Sequence, residues 1–183
     1  MMYELLKSVE VGGSEYEIRS DYRAVLDVCA ALNDPELSDD ERGLVVLNIF
    51  YPDVESIPLE HHNEAIQKCF WFIRRGEDDR KKPTLKLLDW EQDFMHIVSP
   101  VNRVLGCEIR AVEYMHWWTF ISAYYEIGEC LFSQIVNIRS KRAKNKKLDK
   151  GEQEFYNQNA DIIDIKTLYS ESENSLLEAW GAK

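Results

Sequence analysis

Residues 112–127 read VEYMHWWTFISAYYEI, a run with aromatic or aliphatic groups on every side if it is helical. Met115, Trp118, Ile121 and Tyr125 fall on one face at helical spacing, and Trp117, Phe120 and Tyr124 fall on another. Such a segment predicts a helix over 112–127 that is surrounded by others, at the centre of a helical packing whose aromatic side chains dominate the energetics. Gly128 ends it. Leu131, Ile135 and Ile138 then open an amphipathic helix that runs into the basic stretch from Arg139 to Lys147, whose end is expected in solvent.

Working back toward the N-terminus, Val9, Val11, Tyr16 and Ile18 alternate with polar residues on both sides of Gly12-Gly13, which predicts a β-hairpin over 5–18. Ser20-Asp21 supplies an N-cap for a first helix carrying Tyr22, Val25, Leu26, Cys29 and Leu32, stopping near Asn33-Asp34-Pro35. Ser38 and Glu41 form a capping-box pattern for a second helix that ends before Pro52. A third spans 60–75, with Ala65, Ile66, Cys69, Phe70 and Ile73 as its apolar stripe. Residues 76–83 hold six charges and no apolar group, so an exposed loop is expected there. Asp89 caps a helix through Trp90, Phe94, Ile97 and Val98, which Ser99-Pro100 is expected to kink or end. Toward the C-terminus, 152–163 predicts a short helix with Phe155 and Tyr156, and 170–180 another with Leu176, Leu177 and Trp180 exposed unless covered. The fold class is therefore mainly α, one helical domain over 1–165 with a short N-terminal β-hairpin, followed by a C-terminal tail, 166–183.

Composition narrows the function classes. A 183-residue chain that is 45% hydrophobic can bury one substantial core. No run approaches the roughly 18 apolar residues that span a bilayer, and MMYELLKSVEVGG lacks the features of a signal peptide. Membrane attachment is not expected, and the expected location is the host cytoplasm. Cys29, Cys69, Cys107 and Cys130 are scattered singly in apolar surroundings, which predicts reduced, buried thiols. The net charge is −11, yet residues 139–150 carry seven Lys or Arg against one Asp. An acidic body disfavours nucleic-acid or anionic-membrane binding, and only this block runs against it.

The search for chemistry finds no constellation. His61, His62, His96 and His116 show no metal-ligand spacing with one another or with a Cys. His61 and His62 read as a solvated helix end, and His116 as a buried histidine bonding a carbonyl. Gly12-Gly13 lacks the further glycine and lysine of a phosphate loop, and the acidic runs at 39–41 and 77–79 fall in caps or loops. No catalytic residue, cofactor or metal is assigned, and the chain is read as not an enzyme. Arg139 to Lys150 has no aromatic residue interleaved for base stacking, so docking to an acidic surface, of the chain's own oligomer or of a partner, is favoured over nucleic acid.

Met115-His116-Trp117-Trp118-Thr119-Phe120, then Tyr125-Glu126-Ile127-Gly128, Phe132-Ser133-Gln134-Ile135-Val136, Ile138-Arg139 and Lys146-Lys147-Leu148-Asp149, resemble the phage family called bacteriophage gene product fifteen. The hairpin followed by Asp21-Tyr22-Arg23 extends the resemblance over most of the chain, as far as about Asp164. Thr119 stands where many relatives have a basic residue. The resemblance implies a phage or prophage protein of tail morphogenesis in long-tailed phages of Gram-positive bacteria, and a tail assembly chaperone that binds the tape-measure protein or tail-tube subunits. Two other readings are a structural adaptor retained in the virion and a nucleic-acid-binding regulator using 139–150. A chaperone of this kind must cover apolar stripes reversibly, which suits helix-in-groove contacts. The residues expected to bind a partner are Arg139, Lys141, Arg142, Lys144, Lys146 and Lys147, with Leu176, Leu177 and Trp180.

Overall fold

The computed structural model describes residues 4–77 and 85–179, with the side chains of 176–179 excepted. It is mainly helical, with one two-stranded sheet among the described residues. Contacts divide the chain into two compact units, residues 1–78 with 167–183, and residues 79–166.

The first unit opens on β1 (Ser8–Val11) and β2 (Ser14–Glu17), antiparallel with Val9 opposite Tyr16 and Glu10 opposite Glu15. Gly12 and Gly13 both take positive φ, 56° and 77°, the mirror-image turn that suits a hairpin's twist. Asp21 caps α1 (Tyr22–Asn33) by accepting from the Arg23 amide at 2.9 Å, and Ser38 with Glu41 closes the expected capping box on α2 (Asp39–Phe50). The Arg19 guanidinium reaches the end of α2, donating to the carbonyls of Asn48 and Ile49 at 2.6 and 2.7 Å, while the Arg19 amide bonds Phe50 O. A 3₁₀ turn leads into α3 (His62–Ile73). Its buried stripe is Ala65, Cys69 and Phe72; Ile66, Phe70 and Ile73 are only half-buried, so the helix is rotated from the expected face. Phe50 meets Tyr51 edge-on at 5.0 Å and Phe72 at 5.4 Å, and the Tyr51 hydroxyl donates to Ala65 O.

The second unit begins with α4 (Trp90–Leu105), capped by Asp89 and ended by left-handed Gly106. Pro100 neither ends the helix nor exposes itself. It is buried within α4, and its missing N–H withdraws one in-helix bond from the His96 carbonyl. Asn102 and Arg110 both bond Glu108 and so order the turn after Gly106. The Arg110 side chain, helped by its amide and by Asn102, holds the Glu108 carboxyl down to about 2.

The central aromatic helix is shorter than its composition suggests. It is α5 (Trp117–Tyr125), because residues 112–116 approach it in non-helical conformation and His116 starts it. Met115, Trp117, Phe120, Ile121 and Ala123 are buried, whereas Thr119, Ser122 and Tyr125 are exposed, so one face meets solvent. Trp90 is the hub of the ring packing, 5.8 Å from Trp117, 6.0 Å from Phe120 and 5.3 Å from Tyr124. Next come α6 (Leu131–Ala143), α7 (Lys150–Gln158) and α8 (Ala160–Ile163), where Ile135, Ile138 and Ile163 form a buried cluster flanked by Leu148, Phe155, Tyr156 and Ile162. The tail helix, α9 (Glu171–Ala179), belongs with the first unit, where the Glu171 amide donates to Glu36.

Candidate interaction surface

Histidines and cysteines are the side chains most able to carry chemistry. His116 is 2% exposed, and its Nδ1 accepts from the Trp118 amide at 3.0 Å. It is buried as expected, and this bond is an N-cap received from an amide. His62 Nε2 lies 3.1 Å from Ile57 O, and the His61 ring packs over Gly12 near Glu60 and Glu64. Among the described residues no group of three or more His, Cys, Asp or Glu could hold a metal ion.

Cys69 is buried and Cys29 half-buried; desolvation pushes the Cys29 thiol up to about 12 and the Cys69 thiol up as well. The expectation of four buried thiols is corrected at Cys29, which is half-buried, and further at Cys107, which is exposed beside Gly106, and Cys130, which is half-buried and caps α6 through Sγ. The short polar connections on which Cys107 and Cys130 lie override the apolar composition around them.

The basic block divides in two. Arg139 does not belong to its exposed part: it is 6% exposed and forms a bidentate pair with fully buried Asp93, Nη1 to Oδ2 at 2.6 Å and Nη2 to Oδ1 at 2.9 Å. Its remaining N–H groups reach the carbonyls of Leu87, Ile162 and Ile163. One guanidinium thus joins α4, α6, α8 and the segment before Asp89. Lys141 pairs with Glu152, whose carboxyl is lowered chiefly by that bond, and Arg142 pairs with Asp164 at 2.6 Å while covering the Tyr156 ring at 4.0 Å. These three cations hold the unit together.

Lys144, Lys146, Lys147 and Lys150 are different. All four are exposed, and among the described residues none has a carboxylate within ion-pair distance. They surround Asn145, a left-handed residue (φ 53°) that turns the chain out of α6, where the Lys144, Asn145 and Lys146 amides bond the last carbonyls of the helix. The helix end is satisfied without help from the ammonium groups.

A second surface feature, without a signal in the sequence reading, is a hollow of about 260 Å³ between α4 and the start of α6. Met95, His96, Ser99, Pro100, Arg103, Cys130 and Leu131 line it. Met95 is 65% exposed and Leu131 46%, so the amphipathic period placed Leu131 on the wrong face; the N-cap at Cys130 sets α6 so that Phe132, Ile135 and Ile138 point inward. Of the expected partner-binding residues in the tail, Trp180 and the side chains of Leu176 and Leu177 lie outside the described residues. No helix among the described residues is long and apolar enough to cross a membrane.

No curated protein and no solved structure matches the chain. A family model described as Bacteriophage Gp15 protein matches residues 1–165, which takes in the hairpin, the His116-capped helix and the divided basic block. This chain therefore belongs to the bacteriophage Gp15 family and is a phage protein.

Proposed function

We propose that this phage protein is a non-enzymatic tail assembly chaperone, acting in the host cytoplasm on the tape-measure protein or tail-tube subunits. Membership of the Gp15 family, over 165 residues, is the observation that carries the reading. The surface of the second unit suits it. A tape-measure protein is a long helical chain with apolar stripes, and the hollow lined by Met95, Pro100 and Leu131 offers an adaptable apolar seat for side chains of such a stripe. Lys144, Lys146 and Lys147 add an exposed cationic rim in the same unit, while Arg139 contributes through folding alone.

Co-expression with the tape-measure protein of the same phage tests the proposal. A soluble complex that co-elutes is expected, and a Met95→Asp, Leu131→Asp variant should lose it. A tape-measure protein equally insoluble with and without this chain would sink the reading. Mass spectrometry of purified virions separates a chaperone, absent from the particle, from a retained adaptor, present at fixed stoichiometry.

A further inference from the structure

Two surface clusters of opposite sign are each set against local physics. On the outward face of the hairpin, Glu10 lies directly opposite Glu15 and Glu17 follows on the same side; all three are exposed. Like charges directly across an antiparallel pair repel. Among the described residues the one side-chain partner of these carboxylates is the neutral Ser8 hydroxyl, which donates to Glu15 at 2.5 Å, and no cation pairs with any of them. At the other cluster, Lys146, Lys147 and Lys150 stand at the N-terminal end of α7, where the helix dipole disfavours cations, and Lys144 adds a fourth charge across the turn. Three of the acids around them are already occupied, and Glu154, one turn after Lys150 on α7, forms no ion pair with it. Asp149 caps α7, Glu152 holds Lys141, and Asp164 holds Arg142. A chain of net charge −11 thus keeps four lysines and three glutamates unneutralised in two tight groups. Departures from local rules of this kind concentrate where a partner completes the arrangement.

We infer that the chain associates with itself, the lysine turn at 144–150 of one copy docking on the Glu10, Glu15, Glu17 face of another copy's hairpin. Contacts of lysine turn on glutamate face can close reciprocally in a two-fold dimer or repeat from copy to copy, whereas pairing like turns would set lysines against lysines. It forms through charge, so it is steered over about a Debye length and weakened by salt. The inference stands apart from the chaperone reading, since it concerns the chain alone.

Sedimentation velocity of the full chain tests it, from about 5 to 200 µM in roughly 50 mM NaCl and again in roughly 500 mM. The weight-average sedimentation coefficient should rise with concentration in the lower salt and return to the monomer value in the higher. Lys146→Glu with Lys147→Glu, and separately Glu10→Lys with Glu15→Lys, should each abolish the rise, and an equimolar mixture of the two variants should restore it. Lys146→Gln with Lys147→Gln, which adds no repulsion, should weaken association about tenfold. A wild-type chain that stays monomeric at every concentration overturns the inference. So does association that survives high salt or either charge reversal, or a mixture that stays monomeric. A monomeric wild type that shifts a single-stranded oligonucleotide through the same lysines would assign them to nucleic acid instead.

Discussion

Replacing Asp93 by Asn removes one negative charge and changes almost nothing in volume. Asp93 is wholly buried, so Arg139 would be left as an uncompensated cation, itself 6% exposed, beside a neutral amide. Breaking a buried pair from one side costs about 3–5 kcal/mol, a large share of the roughly 5–15 kcal/mol that keeps a domain folded. The amide also lacks the second carboxylate oxygen, and Asp93 Oδ2 accepts from the Asp89 amide at 2.9 Å as well as from Arg139, so the α4 cap weakens too. The expected Tm loss is on the order of 10 °C or more. Pairing Asp93→Leu with Arg139→Met should cost less than the single change, because no buried charge remains. It should not return to wild type, since the carbonyls of Leu87 and Ile163 lose the Arg139 donor at about 1–3 kcal/mol for each that stays dry, and that of Ile162 keeps only Gln92 Nε2 at 3.5 Å. Urea unfolding followed by circular dichroism gives the totals, and amide exchange in α4 and α6 reports the second unit by itself. An Asp93→Asn protein within about 1 kcal/mol of wild type would refute the assignment of this pair as the pin of that unit.

Other consequences are more local. His116→Ala should cost at least about 1 kcal/mol through loss of the α5 cap, with part recovered in His116→Asn, whose side-chain oxygen can accept from the Trp118 amide; thermal melts of the three proteins decide it. A maleimide added near pH 7 should label Cys107 first and Cys69 last, because the first is exposed and the second is buried with its thiol pushed up; peptide mapping that finds Cys69 modified early would contradict the packing of α3. Gly12→Ala should destabilise more than Gly13→Ala. Both positions have positive φ, but a Cβ at Gly12 would lie 2.6 Å from the His61 ring while at Gly13 it would meet nothing within 4 Å; urea midpoints of the two variants measure the difference.

The local grammar of the first unit could be read residue by residue. Gly12-Gly13 between the alternating pairs Val9, Val11 and Tyr16, Ile18, Asp21 before Tyr22 and the Ser38–Glu41 box are short-range devices, and each appears where its chemistry requires. What escaped the reading depends on partners distant in the chain. Arg139 looked like the first cation of a solvated run, yet it lies four residues after Ile135 and so continues the buried stripe of α6. Asp93 lies four residues before Ile97 on the buried stripe of α4. Opposite charges in phase with the apolar stripes of two helices are a usable signal for a buried pair, and counting charges along the run concealed it. The start of α5 was lost for a different reason: uniform hydrophobicity over 112–127 carries no boundary, and the boundary came from a histidine acting as a cap. The hollow beside Met95 has no sequence signature, since it depends on where α4 and the start of α6 leave space.

The Arg19 clamp has a kinetic meaning. A helix normally fixes its own last turn from residues close behind it, but the terminal carbonyls of α2 wait for a side chain about thirty positions earlier, on the strand side of Asp21. Closing that loop is an entropic step that must precede the reward. The last turn of α2 and the exit of the hairpin should therefore gain and lose protection together, as one cooperative segment of the folding reaction, whatever the rest of α2 has already formed.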